Sequence, residues 1–392
     1  MNQYRPLTLW LLALGVLAAG RPAEALPRFA REYGVSCGTC HSVAPRLNTF
    51  GLAFQANHFN WPGETPPVPG GTLKSALPSA IVTLRATEDH ARDDRSSQFE
   101  ELQLFFAGGF RAGGRRQGGY MAAVMATARD EKAGSLEEAF ASLPVAGRRG
   151  QLALTVGQSS PLMHQWWHHT RLIGTPPAAL SLEPAREEEE REDEEHEENE
   201  EAHVAHAEGD AHSEGAFSLG DHSPGLRLDY FSGRGTGTAD GRYLTVGVPF
   251  SGELALNRSM RVGSTRGVYA HAFQRWGQDT LGAFAYTHGG THLEGLIGTR
   301  ALRPDLSVVA IGALGQDEAG RVRRLTLEGE YLASSRLGLT ARLEALGGAE
   351  EDLGTVTALT YYPSARPSLR LTLQSNQRKG NRSLEIWARG QF

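Results

Sequence analysis

The chain has 392 residues, with 39 Lys and Arg against 45 Asp and Glu, and a formal net charge of −6. This acidic balance does not favour a nucleic-acid partner, because phosphate backbones attract basic surfaces. A total of two cysteines excludes a zinc site built from cysteines alone.

The first 25 residues are predicted to be a secretory signal peptide. Arg5 supplies the positive charge, residues 7–19 form an apolar run too short to span a bilayer, and residues 23–25 form a small-x-small cleavage site. A retained membrane anchor is the alternative interpretation. After removal of segment 1–25, the mature chain begins near Leu26 and lies outside the cytoplasm.

The two cysteines, Cys37 and Cys40, are followed directly by His41. This is the spacing of the c-type haem attachment motif, in which each thiol binds one vinyl group and the imidazole is the proximal axial ligand of the iron. A structural disulfide and a thioredoxin-like redox pair are the alternatives. The adjacent histidine and the export signal favour one covalent haem c, which carries one electron and indicates electron transfer.

Residues 26–62 are predicted to form a small helical haem segment. Apolar side chains, including Phe50, Phe54 and Phe59, recur at helical spacing and would cover one face of a haem. The segment is too short to bury a haem or to form a core alone. It therefore requires a larger housing, which follows after a Pro- and Gly-rich linker at 63–77.

The rest of the chain, 78–392, alternates apolar and polar residues, as at Leu369, Leu371 and Leu373 with polar residues between them. Period two predicts strands, and segments of about nine to eleven residues suit tilted strands that cross a bilayer. The predicted fold class is all-β, an outer-membrane antiparallel β-barrel of about sixteen strands plugged by the α-helical haem segment. A soluble all-β fold is the alternative.

The predicted strands are 78–88, 99–111, 118–128, 135–143, 149–158, 223–231, 241–249, 266–275, 280–288, 291–300, 306–315, 322–332, 337–346, 354–362, 367–376 and 383–392. The last of them ends on Phe392, which resembles the insertion signal of outer-membrane barrels. If the haem segment and both barrel ends lie in the periplasm, the long connections at 159–222 and 250–265 face outward, as is usual in such barrels.

The longest connection contains an acidic, His-rich segment at 183–214. It has sixteen acidic residues against Arg186 and Arg191, a net charge of −14 before its histidines are counted. The histidines interleaved with these carboxylates are His196, His203, His206 and His212. The segment is either a hydrated, self-repelling loop or a weak, unselective binder of metal cations.

Just before it, segment 158–169 is either part of an aromatic membrane girdle or a piece of chain folded into the pore. In the second case Met163 or a histidine of the segment approaches the haem. The candidates for the second axial ligand of the iron are His58 and Met163, with Met121 and Met125 as further methionines. A vacant or water-bound position is the alternative, and an axial methionine would raise the potential relative to two histidines.

The N-terminal sequence now resembles a known family. Residues 26–31, the motif at 37–41 and residues 45–51 with Phe54 are similar to the start of outer-membrane monohaem cytochrome–porin fusions, which include the iron-oxidising cytochromes of neutrophilic and acidophilic bacteria. The strong resemblance covers about residues 26–60. It implies one c-type haem, held by the motif, inside a barrel of about sixteen strands.

The resemblance also implies a function, oxidation of extracellular Fe(II) with transfer of electrons across the outer membrane to periplasmic c-type cytochromes. That is an Fe(II):cytochrome c oxidoreductase activity, with the haem segment in the periplasm or inside the barrel. The acidic segment at 183–214 is not part of the family pattern and leaves the electron donor open. The alternative functions are a porin that passes ions, with the haem as redox sensor or plug, and a metal-capturing surface protein.

Overall fold

The computed structural model describes most of the chain after residue 26. The predicted signal peptide at 1–25, the linker at 63–77, the acidic segment at 183–214 with its four histidines, and Phe392 lie outside the described residues. The described ranges are 27–62, 79–89, 94–112, 116–127, 135–147, 151–167, 170–173, 176–180, 219, 222–234, 236–251, 263–317, 320–348, 351–363, 369–378 and 381–391.

The N-terminal segment has two short helices with a hairpin between them. Its elements are α1 (Pro27–Tyr33), a 3₁₀ turn (Cys37–Thr39), the strands β1 (His41–Val43) and β2 (Arg46–Leu47), and α2 (Thr49–Ala56). The helix predicted around the phenylalanines is present, but it ends before the last of them. No helix among the described residues is long and apolar enough to cross a membrane.

A single asparagine joins α2 to the cysteine motif. The side-chain oxygen of Asn48 accepts a hydrogen bond from the Gly51 amide at 3.0 Å, which caps the first turn of the helix. Its side-chain nitrogen donates to the carbonyl oxygens of Gly38 and Thr39, both at 3.1 Å. The residues between the two cysteines are therefore fixed relative to the start of α2.

Sixteen further strands form one closed barrel, in which consecutive strands are antiparallel neighbours and the last pairs with the first. This confirms the predicted barrel and its strand number. The strands are β3 (Ser79–Asp89), β4 (Asp94–Ala112), β5 (Arg116–Thr127), β6 (Ser135–Ala146), β7 (Leu152–Ser159), β8 (Ser223–Phe231), β9 (Gly241–Pro249), β10 (Val268–Trp276), β11 (Asp279–His288), β12 (Thr291–Arg303), β13 (Leu306–Asp317), β14 (Gly320–Ser334), β15 (Leu337–Gly347), β16 (Asp352–Tyr361), β17 (Leu369–Arg378) and β18 (Asn381–Gln391).

The two faces of the wall are inverted relative to a soluble protein. On β17, Leu371 and Leu373 are 36% and 42% exposed, whereas Thr372 and Gln374 are 7% and 5% exposed. The apolar face therefore points outward and the polar face points into the lumen, which is the pattern of a barrel in lipid.

The largest error in the predicted strand bounds is at β4, which begins at Asp94 rather than at residue 99. Its first residues continue the ladder with β3, as in the pairs Glu88 with Arg95 and Asp89 with Asp94. These residues are polar on both faces, so their backbone pairing leaves no alternating pattern in the sequence.

The barrel has a base and a mouth. We call base the end at which β3 begins and β18 ends, where Ile81 pairs with Gln391. The mouth is the opposite end. The connections at 160–222 and 250–267 both leave the mouth, whereas base connections such as 304–305 and 335–336 are short. The predicted asymmetry of loop length is thus present.

The N-terminal segment packs against the inner wall of the barrel. Phe29, Phe54 and Phe59 form one buried cluster with inward-facing residues that include Phe105 of β4 and Met121 of β5. The segment is too small to enclose a core by itself, and the barrel supplies the apolar surface that it lacks.

The connection after β7 also lies inside the barrel. Leu162, Trp166 and Leu180 are buried against wall residues such as Ile297 and Ile311. Of the two interpretations of segment 158–169, the structure shows the pore-inserted one. This connection and the N-terminal segment both pack against inward-facing residues of the wall.

Polar contacts attach the inserted connection to the wall. The side-chain nitrogen of Gln165 donates to Thr280 and to the carbonyl of Ile297, each at 3.0 Å. The guanidinium of Arg171 forms an ion pair with Glu328 at 2.5 Å. These bonds satisfy polar groups that face inward and would otherwise be buried without partners.

Candidate cofactor site in the barrel lumen

The cysteine motif opens on a cavity near the base of the barrel. Cys37, Cys40 and His41 line it from the N-terminal segment, while Ile81, Phe105, Met121 and the arginines of β17 and β18 line it from the wall. The sequence predicted a single site for the motif, and the structure brings its three side chains to one cavity.

The two thiols are held by a tight backbone turn. The amide of Cys40 donates to the carbonyl of Cys37 at 3.1 Å, and the amide of Thr39 donates to the carbonyl of Ser36 at 3.1 Å. The two cysteines do not form a disulfide, and both are half-buried. Burial, with a smaller contribution from the neighbouring Cys37, raises the pKa of Cys40 to about 11, so this thiol is protonated at neutral pH.

The imidazole of His41 has a defined tautomer. Its Nδ1 lies 3.1 Å from the carbonyl oxygen of Pro45, and a carbonyl can only accept, so Nδ1 carries the proton. Nε2 is then left with a lone pair. Burial lowers the pKa of His41 to about 4, more than the hydrogen bonds to the backbone of Pro45 and Arg46 raise it, so the ring is neutral at physiological pH.

This arrangement is typical of a histidine that binds a metal, in which the second ring nitrogen is oriented by a carbonyl group. The remaining lining is largely aromatic, with Phe29, Phe54, Phe59 and Trp61 from the segment and Trp167 from the inserted connection. Two thiols, one neutral imidazole and an apolar aromatic lining fit a covalently attached haem.

The structure separates the candidates for the second axial ligand by whether they line this cavity. Neither His58 nor Met163 lines the cavity. The Met163 sulfur accepts a hydrogen bond from Arg227 at 3.2 Å, and the His58 ring lies 6.1 Å from the ring of His164. The methionine that lines the cavity is Met121, which is 2% exposed.

His58 and His164 belong to a separate buried group beside the cavity. Burial is the main cause that lowers the pKa of both histidines, to about 3 in His164. Arg227 and Arg234 lower the two values further, and Asp229 opposes this. Both rings are therefore neutral, and their contact joins the N-terminal segment to the inserted connection.

The inserted connection closes the cavity on the side of the mouth. Trp167 and Thr170 line it, and the indole nitrogen of Trp167 donates to the Glu138 carboxylate at 2.9 Å. The sequence predicted that Met163 or a histidine of this connection would approach the haem, whereas the described residues of the connection that line the cavity are Trp167 and Thr170. It also missed the two lining arginines, because their neighbourhood depends on strand register.

The residues that flank the acidic segment at 183–214 are bonded to each other near the mouth. The amide of Leu219 donates to the carbonyl of Leu180 at 2.9 Å, and both leucines are fully buried. The acidic residues between them lie outside the described residues. Within the described part of the chain, no group of three or more His, Cys, Asp or Glu side chains is arranged to hold a metal ion.

Solved structures that are similar to this barrel are porins. Salmonella typhi OmpF, in a complex with daunomycin, has a TM-score of 0.57 at 10% identity, with 80% of this chain and 97% of that chain covered. A double mutant of the Rh. blastica porin has a TM-score of 0.51 at 12% identity, with 80% and 99% covered. At such identities the similarity shows the fold alone. No family model matches the sequence, and no curated protein matches it significantly.

Proposed function

We propose that the chain is an outer-membrane monohaem c-type cytochrome–porin that moves electrons across the outer membrane. The observation that carries this proposal is that Cys37, Cys40 and His41 line one cavity inside a closed porin-like barrel. Such a barrel is consistent with an outer-membrane location. A redox centre held in its lumen would be separated from lipid on all sides by the wall.

Each residue of the site has a role in this proposal. Cys37 and Cys40 would hold the haem through thioethers, and His41, through Nε2, and Met121 would be the protein ligands of its iron. A haem c bound there supplies one-electron exchange between Fe(III) and Fe(II). His41 needs no deprotonation at neutral pH, because its pKa is already lowered to about 4.

Several aromatic side chains that line the cavity are buried. Phe54 is 6% exposed, Phe59 5% and Trp167 5%. Apolar neighbours of this kind disfavour the extra positive charge of the ferric state and therefore raise the potential. A methionine ligand acts in the same direction. The site is thus suited to accept electrons from a donor of moderately high potential.

We propose extracellular Fe(II) as the donor and periplasmic c-type cytochromes as the acceptors. The support is the resemblance of the N-terminal sequence to iron-oxidising cytochromes, together with the position of the acidic segment. The residues that flank this segment, Leu180 and Leu219, belong to the buried cluster near the mouth. The segment's net charge of −14 would concentrate cations at that end of the barrel.

The test is anaerobic titration of the purified protein with Fe(II), with the haem followed by its absorption spectrum. We expect reduction of one haem per chain. Cys40→Ala, in a barrel that still inserts, removes the covalent haem and the signal. A correctly assembled holoprotein that Fe(II) does not reduce at any accessible pH would refute iron oxidation and leave electron transfer from another donor to be measured.

A second candidate function is ion passage through the lumen, favoured by the sixteen-strand porin-like fold. The inserted connection and the N-terminal segment oppose it, because both lie against the inner wall. Conductance across planar bilayers distinguishes the two. Steady open-channel conductance that is unchanged in Cys40→Ala would favour a porin in which the haem is accessory.

A further inference from the structure

Two arginines face each other directly in the wall of the cavity. Arg370 of β17 and Arg389 of β18 are register partners on adjacent antiparallel strands, and both line the cavity that holds the cysteine motif. Like charges directly opposite each other destabilise a sheet. Such a pair of arginines therefore indicates that a negatively charged group lies between or beside the two side chains.

One of the two guanidinium groups, that of Arg370, has a nitrogen left for a ligand. Nε of Arg389 donates to Thr83 at 3.1 Å. Arg370 donates to the hydroxyl oxygen of Tyr362, whose own proton is given to the Ala44 carbonyl at 2.6 Å. Nη1 of Arg370 is buried and has no hydrogen-bond partner. An unpartnered, buried guanidinium nitrogen is destabilising unless a ligand occupies the site.

Several other lumen arginines are paired with carboxylates. Arg85 is 3.0 Å from a carboxylate oxygen of Glu385, and Arg227 is 2.8 Å from Asp229. Among the described residues, Arg370 has no such carboxylate. The carboxylate whose charge acts on it is that of Glu330, which already accepts a hydrogen bond from the Leu172 amide at 2.9 Å.

We infer that Arg370 and Arg389 form a binding site for two carboxylates, and that these are the propionates of the haem attached at Cys37 and Cys40. The inference rests on the proposed function. Two propionates neutralise two adjacent guanidinium groups, each of which can bind a carboxylate through a pair of parallel hydrogen bonds. The N-terminal segment then holds the thioether edge of the haem, and the barrel wall holds the propionate edge.

Two arginines would also bind a free anion such as phosphate, so the experiment distinguishes a haem propionate from a free anion. Variants R370Q and R389Q are compared with R85Q, which removes a lumen arginine that has its own carboxylate partner and does not line the cavity. Covalent haem is first measured on denaturing gels. Absence of haem in the unmodified protein overturns the proposed function and this inference together, whereas the remaining measurements address the inference alone.

In the holoprotein, we expect R370Q and R389Q to shift the propionate bending bands in the resonance Raman spectrum, and R85Q to leave them in place. We also expect a lower midpoint potential that becomes dependent on pH near neutrality, because propionates without arginine partners bind protons more readily on reduction. R370K, which keeps the charge, restores the potential more fully than the Raman bands. Unchanged bands in both glutamine variants overturn the inference, even if the potential falls.

Inorganic phosphate gives the second measurement, by thermal unfolding in detergent. We expect no stabilisation of the holoprotein, because the site is occupied. The haem-free variant C37A/C40A is stabilised by phosphate, and addition of R370Q removes this effect. Stabilisation of the holoprotein by phosphate, lost in R370Q, would show an open anion site instead of a propionate site and would overturn the inference.

Discussion

Gly51 lies against the carbonyl oxygen of Cys40 so closely that a Cβ at position 51 would be 2.1 Å from that oxygen. The same Cβ would be 2.8 Å from Cδ2 of Leu47. At position 51, helix α2 therefore contacts the cysteine motif through its backbone alone. This close approach, together with the cap formed by Asn48, sets the position of the motif in the cavity.

We predict that Gly51→Ala displaces α2 from the motif and strongly reduces covalent haem. The carbonyl of Cys40 is backbone and cannot rotate away as a side chain would, so the overpacking should destabilise the segment by about 1–3 kcal/mol. The measurement is haem per folded barrel, with folding scored by the heat-dependent gel mobility of the barrel.

Gly38→Ala is the matched control for this prediction. It lies between the two cysteines, and its Cβ would approach only the Ser36 hydroxyl, at 3.8 Å, which is an ordinary contact. We expect near-normal haem content. Equal loss in both variants would show that the motif tolerates no substitution, and that the contact between Gly51 and Cys40 has no special role.

The barrel was predictable because each strand carries its own signal. At Leu371 and Thr372 the exposed leucine and the buried threonine follow the alternation in the sequence, and this needs no knowledge of other strands. The start of β4 was missed because paired polar residues near the mouth, such as Asp94, lack that alternation. The motif was predictable because its three residues are close in sequence.

The rest of the site depends on contacts between distant parts of the chain. Arg370 and Arg389 face each other only because of the register between β17 and β18. In the sequence alone, an inward-facing arginine on a strand indicates no more than a polar lumen. The sequence favoured Met163 over Met121, because segment 158–169 could fold into the pore. The structure differs because the inserted connection turns the Met163 sulfur towards Arg227, which is a tertiary contact.

Met121→Leu is predicted to remove the methionine ligand of the iron while it preserves the packing volume. We expect loss of the methionine–iron charge-transfer band and a lower midpoint potential, with covalent haem retained. Absorption spectroscopy and a redox titration of the purified variant provide the measurement.

Met163→Leu is the control, because it removes a buried thioether of the same size from the same apolar cluster. Its spectrum should be unchanged. The reverse result, with the band lost in Met163→Leu and kept in Met121→Leu, would support the candidate that the sequence favoured and refute the assignment from the cavity.

His164 provides a prediction about pH. Burial is the largest cause that lowers its pKa to about 3, from an ordinary value of 6.5. The unfolded chain therefore binds a proton that the folded chain does not, so the stabilising effect is complete above about pH 6.5 and is lost as pH falls towards 3. The loss is at most about 1.4 kcal/mol per pH unit for one histidine.

We expect the free energy of unfolding to fall less steeply between pH 6.5 and 5 in His164→Gln than in the unmodified protein. Urea unfolding in detergent at several pH values measures the slope. His292→Gln, at an exposed position of β12, should have the unmodified slope. Parallel curves for all three proteins would show that protonation of His164 is not linked to unfolding.

Removal of residues 185–214 is predicted to leave the barrel and the haem intact. The flanking leucines, Leu180 and Leu219, are already joined by a backbone hydrogen bond of 2.9 Å, so the shortened connection still spans the distance. The excised residues carry most of the −14 charge and all four interleaved histidines. We therefore expect weak binding of several divalent cations to be lost, as measured by calorimetry, with an unchanged haem spectrum.

A matched variant with glutamines in place of the four histidines separates the contribution of imidazole from that of carboxylate, because it keeps the charge at the mouth. If Fe(II) reduces the haem as fast in the deletion variant as in the unmodified protein at low ionic strength, the acidic segment does not concentrate the donor, since a charge of this size accelerates encounter with cations most strongly when salt is low.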